Sequence, residues 1–133
     1  LTALKRFAAV LEGVRPERSF VAATAAVRDA EDGSAFCDEV AAETGLRVRV
    51  LSGEEEARFS ALGVLAGNPL AEGVAADMGG ASLELTRLED GQVRGGVTLA
   101  LGPFALVDAK GFDASRLRET IAGRIRPAEA DYA

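Results

Sequence analysis

The chain has 133 residues, 48% of them hydrophobic and 27% charged, the balance of a folded domain with a real core and not of a disordered segment. No apolar run is long enough to span a bilayer. With 21 acidic against 15 basic residues the net charge is −6, which argues against attracting nucleic acid by charge alone. There is no histidine and a single cysteine, Cys37. Zinc sites of the Cys/His type, Ser-His-Asp triads, Cys-His dyads and an internal disulfide are therefore excluded within this chain. Lone Cys37 fits a reducing, cytoplasmic setting and reads as a small packed apolar group. A general base here must be a carboxylate, a lysine, a tyrosine or a terminus.

In chain order, Leu4, Phe7, Ala8, Val10, Leu11 and Val14 recur near period 3.6 and predict a helix from Leu1 to about Val14. That helix starts with neither a cap nor a preceding loop, which suggests a cut inside a longer polypeptide. Arg15 to Arg18 connects it to a short buried strand, Ser19 to Thr24. Thr24 then caps a brief helical turn, Ala25 to Ala30. Arg28 lies in that turn. It is either a solvated arginine paired with Asp29, Glu31 or Asp32, or a guanidinium aimed at an anion beyond the strand's end. Ser34 is expected to cap a second helix, Ala35 to about Thr44, with Phe36, Val40 and Ala41 inward and Asp38 in its first turn. Gly45 closes it. Leu46, Val48 and Val50 alternate with Arg47 and Arg49 as a half-exposed strand.

Ser52 and Glu55 have capping-box spacing and open a longer helix. Capping accounts for Ser52, Glu54 and Glu55, and Glu54 can also pair with Arg58 at i+4. Glu56 is not so absorbed. Its helical face continues through Ser60, Gly63 and Gly67, a track of small residues that lets another element or a ligand come close. The core face is expected to carry Ala57, Ala61, Leu62, Val64 and Leu65. A glutamate on such a track, beside strand ends, could serve as a base.

Asn68–Pro69 stops the helix, and the stretch Gly73 to Leu85 follows as strand, tight glycine turn and second strand, with Asp77 near the first strand's end. Gly79 and Gly80 either satisfy hairpin geometry or turn backbone N–H groups toward an anion. Glu89 to Gln92 turns the chain into a strand from Val93 to Leu101, interrupted by Gly95–Gly96 in the manner of a bulge. Leu101–Gly102–Pro103 turns again. Phe104 to Val107 begin a helix that Gly111 ends, and Asp113 to Arg116 start a last amphipathic helix with Leu117 and Ile121 inward. Arg126–Pro127 to Ala133 reads as a frayed end. There is no internal repeat and no low-complexity linker.

Three stretches in this order carry a resemblance: Thr24–x–Ala26–x–Arg28–x–Ala30, then Ser52–Gly53–x–Glu55–Glu56–Ala57–Arg58 with Gly63–Val64, then Asp77–Met78–Gly79–Gly80–Ala81–Ser82–Leu83–Glu84–Leu85. From about Phe20 to Leu106 the chain resembles the exopolyphosphatase / guanosine pentaphosphate phosphohydrolase (Ppx/GppA) family, in an interior part of its N-terminal catalytic region. The resemblance implies an α/β fold of the ribonuclease-H-like type shared by the actin-like ATPase superfamily, a mixed sheet flanked by helices. It also implies one partial phosphatase domain over residues 1–133, incomplete relative to the family, with no second complete domain.

The activity implied is hydrolysis of a terminal phosphoanhydride in polyphosphate or guanosine pentaphosphate, with Mg2+. By motif position Glu56 resembles the glutamate that prepares the attacking water. Asp77 resembles the carboxylate near the metal, Gly79, Gly80, Ala81 and Ser82 the second phosphate loop, and Glu84 a supporting acidic residue. Arg28 resembles an arginine facing the phosphate cleft. Members of this family often pair subunits, which implies a homodimer; neither nucleic acid nor membrane is an expected partner. The family loop usually reads Gly-Gly-Gly-Ser-Thr, so Ala81 and Leu83 depart from it. A left-handed backbone at position 81 would cost alanine about 1–2 kcal/mol. At position 83 a phosphate-directed hydroxyl is lost, and by strand parity Leu83 points with Leu85, away from Ser82 and Glu84. Asp32 stands where the family has Asn, and the family's first phosphate loop has no counterpart in these residues. These departures motivate an alternative, a degenerate member that binds a phosphorylated ligand or protein partner without hydrolysis; a plain α/β scaffold is a third reading. For the 133 residues alone, no turnover is expected.

Overall fold

The computed structural model describes residues 1–106 and 113–132, and within the last helix the side chains of residues 129–131 are not described. The end assigned to the helix at Gly111 lies outside the described residues. Two compact units make up the chain, Leu1–Leu51 and Ser52–Ala133.

In the first unit, helix α1 (Thr2–Val14) ends in a left-handed residue, Arg15, at φ 49°. Lys5 on α1 donates to Glu43 at 2.6 Å, and that pairing holds the Glu43 carboxyl below its ordinary range. Strand β1 (Val21–Ala23) runs parallel to β2 (Val48–Val50), with Val21 opposite Val48. Between them lie α2 (Ala25–Arg28) and α3 (Gly33–Thr44). Thr24 occupies the N-cap of α2, but its side chain makes no capping bond. The start of α3 departs from the expected one. The helix begins at Gly33 with Asp32 at the N-cap, so Ser34 lies inside it and Asp38 is beyond the first turn. The reason is close packing: a Cβ at Gly33 would stand 2.0 Å from the Val27 carbonyl oxygen. Only a glycine lets α3 start that close to α2. Val40 is fully buried, Phe36 and Ala41 half-buried, and Gly45 caps the end at φ 72°.

The second unit is an antiparallel meander, β3 (Gly73–Met78), β4 (Leu83–Glu89) and β5 (Gln92–Leu99), in that spatial order. Helix α4 (Gly53–Gly67) packs on it. The capping box forms as expected: the Glu55 N–H donates to Ser52 Oγ at 3.1 Å, and the Ser52 N–H donates to Glu55 Oε2 at 3.0 Å. The buried stripe of α4 is narrower than expected. Ala57, Ala61 and Leu65 are buried, whereas Leu62 and Val64 are 40% and 43% exposed. Two alanines at the contact let the helix axis approach β4 and β5, and side chains either side of that line then project past the sheet. Leu65 and Ala61 pack with Leu88 to form the apolar core of this unit.

Alternation along β4 is regular. Ser82, Glu84, Thr86 and Leu88 are buried, and Glu84, Thr86 and Leu88 lie on the face that meets α4. Between β4 and β5 a two-residue turn has Asp90 at φ 53° and Gly91 at φ 67°, the pair of positive values that matches strand twist. The register slips by one residue between Thr86 and Leu88, so Arg94 and Gly95 together oppose Arg87. This is the expected bulge. Strand β5 ends at Leu99, two residues before the expected limit.

Helix α5 (Pro103–Leu106) is one turn long. Helix α6 (Ala114–Tyr132) is opened by Asp113, whose carboxylate accepts from the N–H groups of Ser115 and Arg116 at 2.9 and 3.0 Å. These two bonds lower the Asp113 pKa. The expected frayed end is overturned: α6 continues through Pro127 to Tyr132. Proline there forgoes one backbone donor. Tertiary contacts offset that loss, with Ala128 buried and the Tyr132 hydroxyl donating to the Leu85 carbonyl at 2.8 Å.

Candidate active site

The site grows out of the β3–β4 hairpin and the face of α4 above it. Asp77 and Glu84 are register partners on adjacent strands, and Met78 pairs with Leu83. The loop Gly79–Ser82 joins them, closed by the Gly79 N–H donating to the Ser82 carbonyl at 2.9 Å. On α4 the small-residue track faces this hairpin. The Ser60 hydroxyl donates to Asp77 Oδ2 in a short hydrogen bond. Ser60, Gly63, Asp77, Glu84 and Thr86 line a hollow of about 340 Å³. Glu56 precedes Ser60 by one helical turn, half-buried, and its charge acts on Glu84.

Glu84 is the least ordinary group in this unit. It is only 2% exposed, and among the described residues its Oε1 has no hydrogen-bond partner. Burial pushes its carboxyl pKa up; the negative charges of Glu56 and Asp77 push the same way, and a hydrogen bond from Ser82 opposes them. A buried carboxylate oxygen left unpaired costs about 1–3 kcal/mol or more, so such groups call for an explanation. Asp77 and Glu84 line one hollow, and the charge of Glu56 acts on Glu84, a local negative field that a cation would relieve.

The residues expected to form one phosphate site fall into two sets. Glu56, Asp77, Gly79, Gly80, Ala81, Ser82 and Glu84 all belong to the second unit, and the hairpin and α4 gather them. Arg28 belongs to the first unit and ends α2. Its Nε pairs with Asp29 at 3.3 Å and its Nη1 donates to the Leu51 carbonyl at 3.0 Å. Two substitutions in the loop find physical accounts. Ala81 has no positive φ, so its Cβ carries no left-handed strain. Leu83 turns to the other face of β4, into an apolar hollow lined by Met78, Leu101, Leu106, Ile121 and Ile125.

Ser60 was visible in the sequence only as a small residue four positions beyond Glu56; that i,i+4 spacing was the signal for its place beside Asp77. The turn Leu101–Gly102–Pro103 loosely resembles the family's next glycine-containing turn, a likeness that does not say what the turn contacts. The Gly102 N–H donates to the Ala81 carbonyl at 3.1 Å and the Phe104 N–H to the Gly80 carbonyl at 2.8 Å. Neither contact follows from local pattern. Among the described residues no group of three or more Asp, Glu or Cys side chains is arranged to hold a metal ion by itself. None of the helices described is long and apolar enough to cross a membrane.

With a parallel β1–β2 pair in one unit and an antiparallel meander packed on α4 in the other, the chain is an α/β protein, and its match to solved Ppx/GppA structures gives it the actin-like ATPase fold. The Ppx/GppA phosphatase family profile matches residues 1–121. The chain belongs to the Ppx/GppA phosphatase family. Similar solved structures include the Aquifex aeolicus Ppx/GppA enzyme, at 25% identity and a TM-score of 0.73, covering 96% of this chain and 45% of that one. An exopolyphosphatase from Cytophaga hutchinsonii matches at 22% identity with a TM-score of 0.81, covering 98% of this chain and 45% of that one; it shows the fold. An exopolyphosphatase-like protein matches at 28% identity with a TM-score of 0.74, covering 94% and 45%. The chain thus spans about 45% of the length of these relatives. No curated protein is significantly similar to it.

Proposed function

We propose that this chain supplies the catalytic glutamate and one phosphate loop of a hydrolase that removes terminal phosphate from inorganic polyphosphate or guanosine pentaphosphate. The observation that carries this reading is Glu84, a buried carboxylate with an oxygen that has no hydrogen-bond partner among the described residues, lining one hollow with Asp77 and Ser60 next to the Gly79–Ser82 hairpin loop in sequence. Hydrolysis of a phosphoanhydride asks the protein for positioning, charge neutralisation and a group that orients water. Glu56, half-buried in the first turn of α4, is the group we assign to accept a proton from that water, as its motif position implies. The water oxygen bonds to the terminal phosphorus, the bridging P–O bond breaks, and the shortened chain leaves as an anion. Ser60 keeps Asp77 fixed while this happens.

The oxygen donors present fit a hard divalent cation. Magnesium binds through one or two carboxylates, completing its shell with water and substrate phosphates. Asp77 would hold it, with Glu84 beneath, and the unpaired Glu84 Oε1 is the feature that suits that role. When bound, magnesium would neutralise charge on the phosphoryl oxygens. Arg28 resembles, by motif position alone, an arginine that faces phosphate in the family.

A family member that binds without hydrolysing remains the competing reading. Its motivation has weakened, because Ala81 adopts an ordinary backbone and Leu83 faces the apolar side. Phosphate release and calorimetric titration, run side by side on the full-length protein with magnesium, separate the two. Release from either polyphosphate or guanosine pentaphosphate is expected. Tight binding of both without release would overturn hydrolysis in favour of the binding role.

A further inference from the structure

The loop Gly79–Ser82 does not stand alone. Behind it, the turn from Leu101 to Phe104 donates two backbone hydrogen bonds to consecutive loop carbonyls: Phe104 N–H to Gly80 at 2.8 Å and Gly102 N–H to Ala81 at 3.1 Å. In a trans peptide the carbonyl and the N–H point in opposite directions. Fixing the Gly80 carbonyl toward the turn therefore sends the Ala81 N–H away from it. Fixing the Ala81 carbonyl sends the Ser82 N–H the same way. The Gly79 N–H is spent on the Ser82 carbonyl, which closes the loop.

Steric fit supports the same arrangement. A Cβ at Gly102 would stand 2.4 Å from the Ala81 carbonyl carbon and 2.5 Å from its nitrogen. Those neighbours are backbone and cannot swing aside. A Cβ at Gly80 would meet the Phe104 ring at 2.8 Å, and that ring is 83% exposed, so the chain spends a large apolar group on covering a loop glycine.

We propose that Gly102 is a positioning residue for anion binding: with Phe104 it clamps two successive loop carbonyls from behind, so that the Ala81 and Ser82 N–H groups form a donor pair for one phosphoryl oxygen. The ligand class is a phosphate chain end. This deepens the phosphate-loop reading above and rests on it. The pair resembles the two-donor anion cradles that successive N–H groups form elsewhere, but here the orientation is imposed by a second turn about twenty residues away in sequence.

The test is a titration of the full-length protein with inorganic tripolyphosphate and magnesium, followed by amide NMR. In the wild type the Ala81 and Ser82 amides should shift most within the loop. Gly102→Ala should weaken binding about tenfold or more and abolish those two shifts, while thermal unfolding confirms that the variant is folded. Gly95→Ala, at a glycine with nothing within 4 Å of an added Cβ, should leave affinity unchanged. A folded Gly102→Ala variant with wild-type affinity and wild-type shifts overturns the positioning role and leaves the loop reading intact. No shift of either amide in the wild type, with binding seen elsewhere, sinks the loop reading itself. If Gly102→Ala does not fold, hydrogen exchange on the wild type decides. Tripolyphosphate at 100 times its Kd should slow exchange of the Gly102 and Phe104 amides about 100-fold; unchanged rates at those two amides would overturn the clamp.

Discussion

Replacing Glu84 by glutamine tests the electrostatic account of the site through stability alone. In the folded chain the Glu84 carboxyl is pushed above its ordinary value of 4.5, first by burial and then by Glu56 and Asp77. The folded state therefore holds a proton more tightly than the unfolded state. Stability from that proton is fully present below the unfolded value and is lost as pH rises through the higher folded value. Each unit of displacement corresponds to about 1.4 kcal/mol. An unsatisfied buried polar group costs on the order of 1–3 kcal/mol. Glutamine keeps the shape and cannot ionise, so Glu84→Gln should lose this decline and exceed wild-type stability at neutral pH by about 1–3 kcal/mol. Urea denaturation at intervals from pH 4 to pH 8, without magnesium, reads the difference directly. Glu43 and Asp113 are shifted downward and act with the opposite sign, but they contribute equally to both proteins and cancel. Parallel pH profiles would refute the claim that Glu84 is held in a site hostile to its charge. Adding magnesium should then favour wild type over the glutamine variant.

Ser52→Ala should destabilise the protein by about 0.5–2 kcal/mol, because Ser52 accepts the Glu55 N–H in the capping box; an unchanged urea midpoint would show the cap to be idle. Leu83→Thr restores the residue usual in the family loop, yet its hydroxyl would enter the apolar hollow beside Ile121 and Ile125. It should cost about 1–3 kcal/mol of stability with no gain in tripolyphosphate affinity, and tighter binding would show that position 83 reaches the ligand.

Much of this architecture was legible because it depends on neighbours in sequence. The Ser52/Glu55 box, the Asp90–Gly91 turn and the bulge at Gly95 each follow from local chemistry. Parity along β4 was equally readable, with Glu84 on one face and Leu83 on the other, but that the second face is an apolar hollow beside Ile121 and Ile125 depends on α6. The misplaced elements depended on contacts across the fold. Gly33, not Ser34, opens α3 because Val27 leaves no room for a side chain, a fact of packing. The apolar pattern of α4 extends to Leu62 and Val64, while the sheet accepts only the Ala57, Ala61, Leu65 line. Pro127 sits inside α6 against its local preference, held by Ala128 and Tyr132. In the proposed site Glu56, Asp77 and Glu84 rest on motif position, whereas the bonds from the Gly102 and Phe104 N–H groups to the loop carbonyls join residues that local pattern does not bring together.

The most direct test of the central claim is phosphate release from polyphosphate by the full-length protein carrying Glu56→Gln. Removal of a positioned base should lower kcat by about 10²–10⁴-fold, while folding and polyphosphate affinity stay at wild-type levels. Turnover equal to the wild type would contradict the account and remove Glu56 from the reaction.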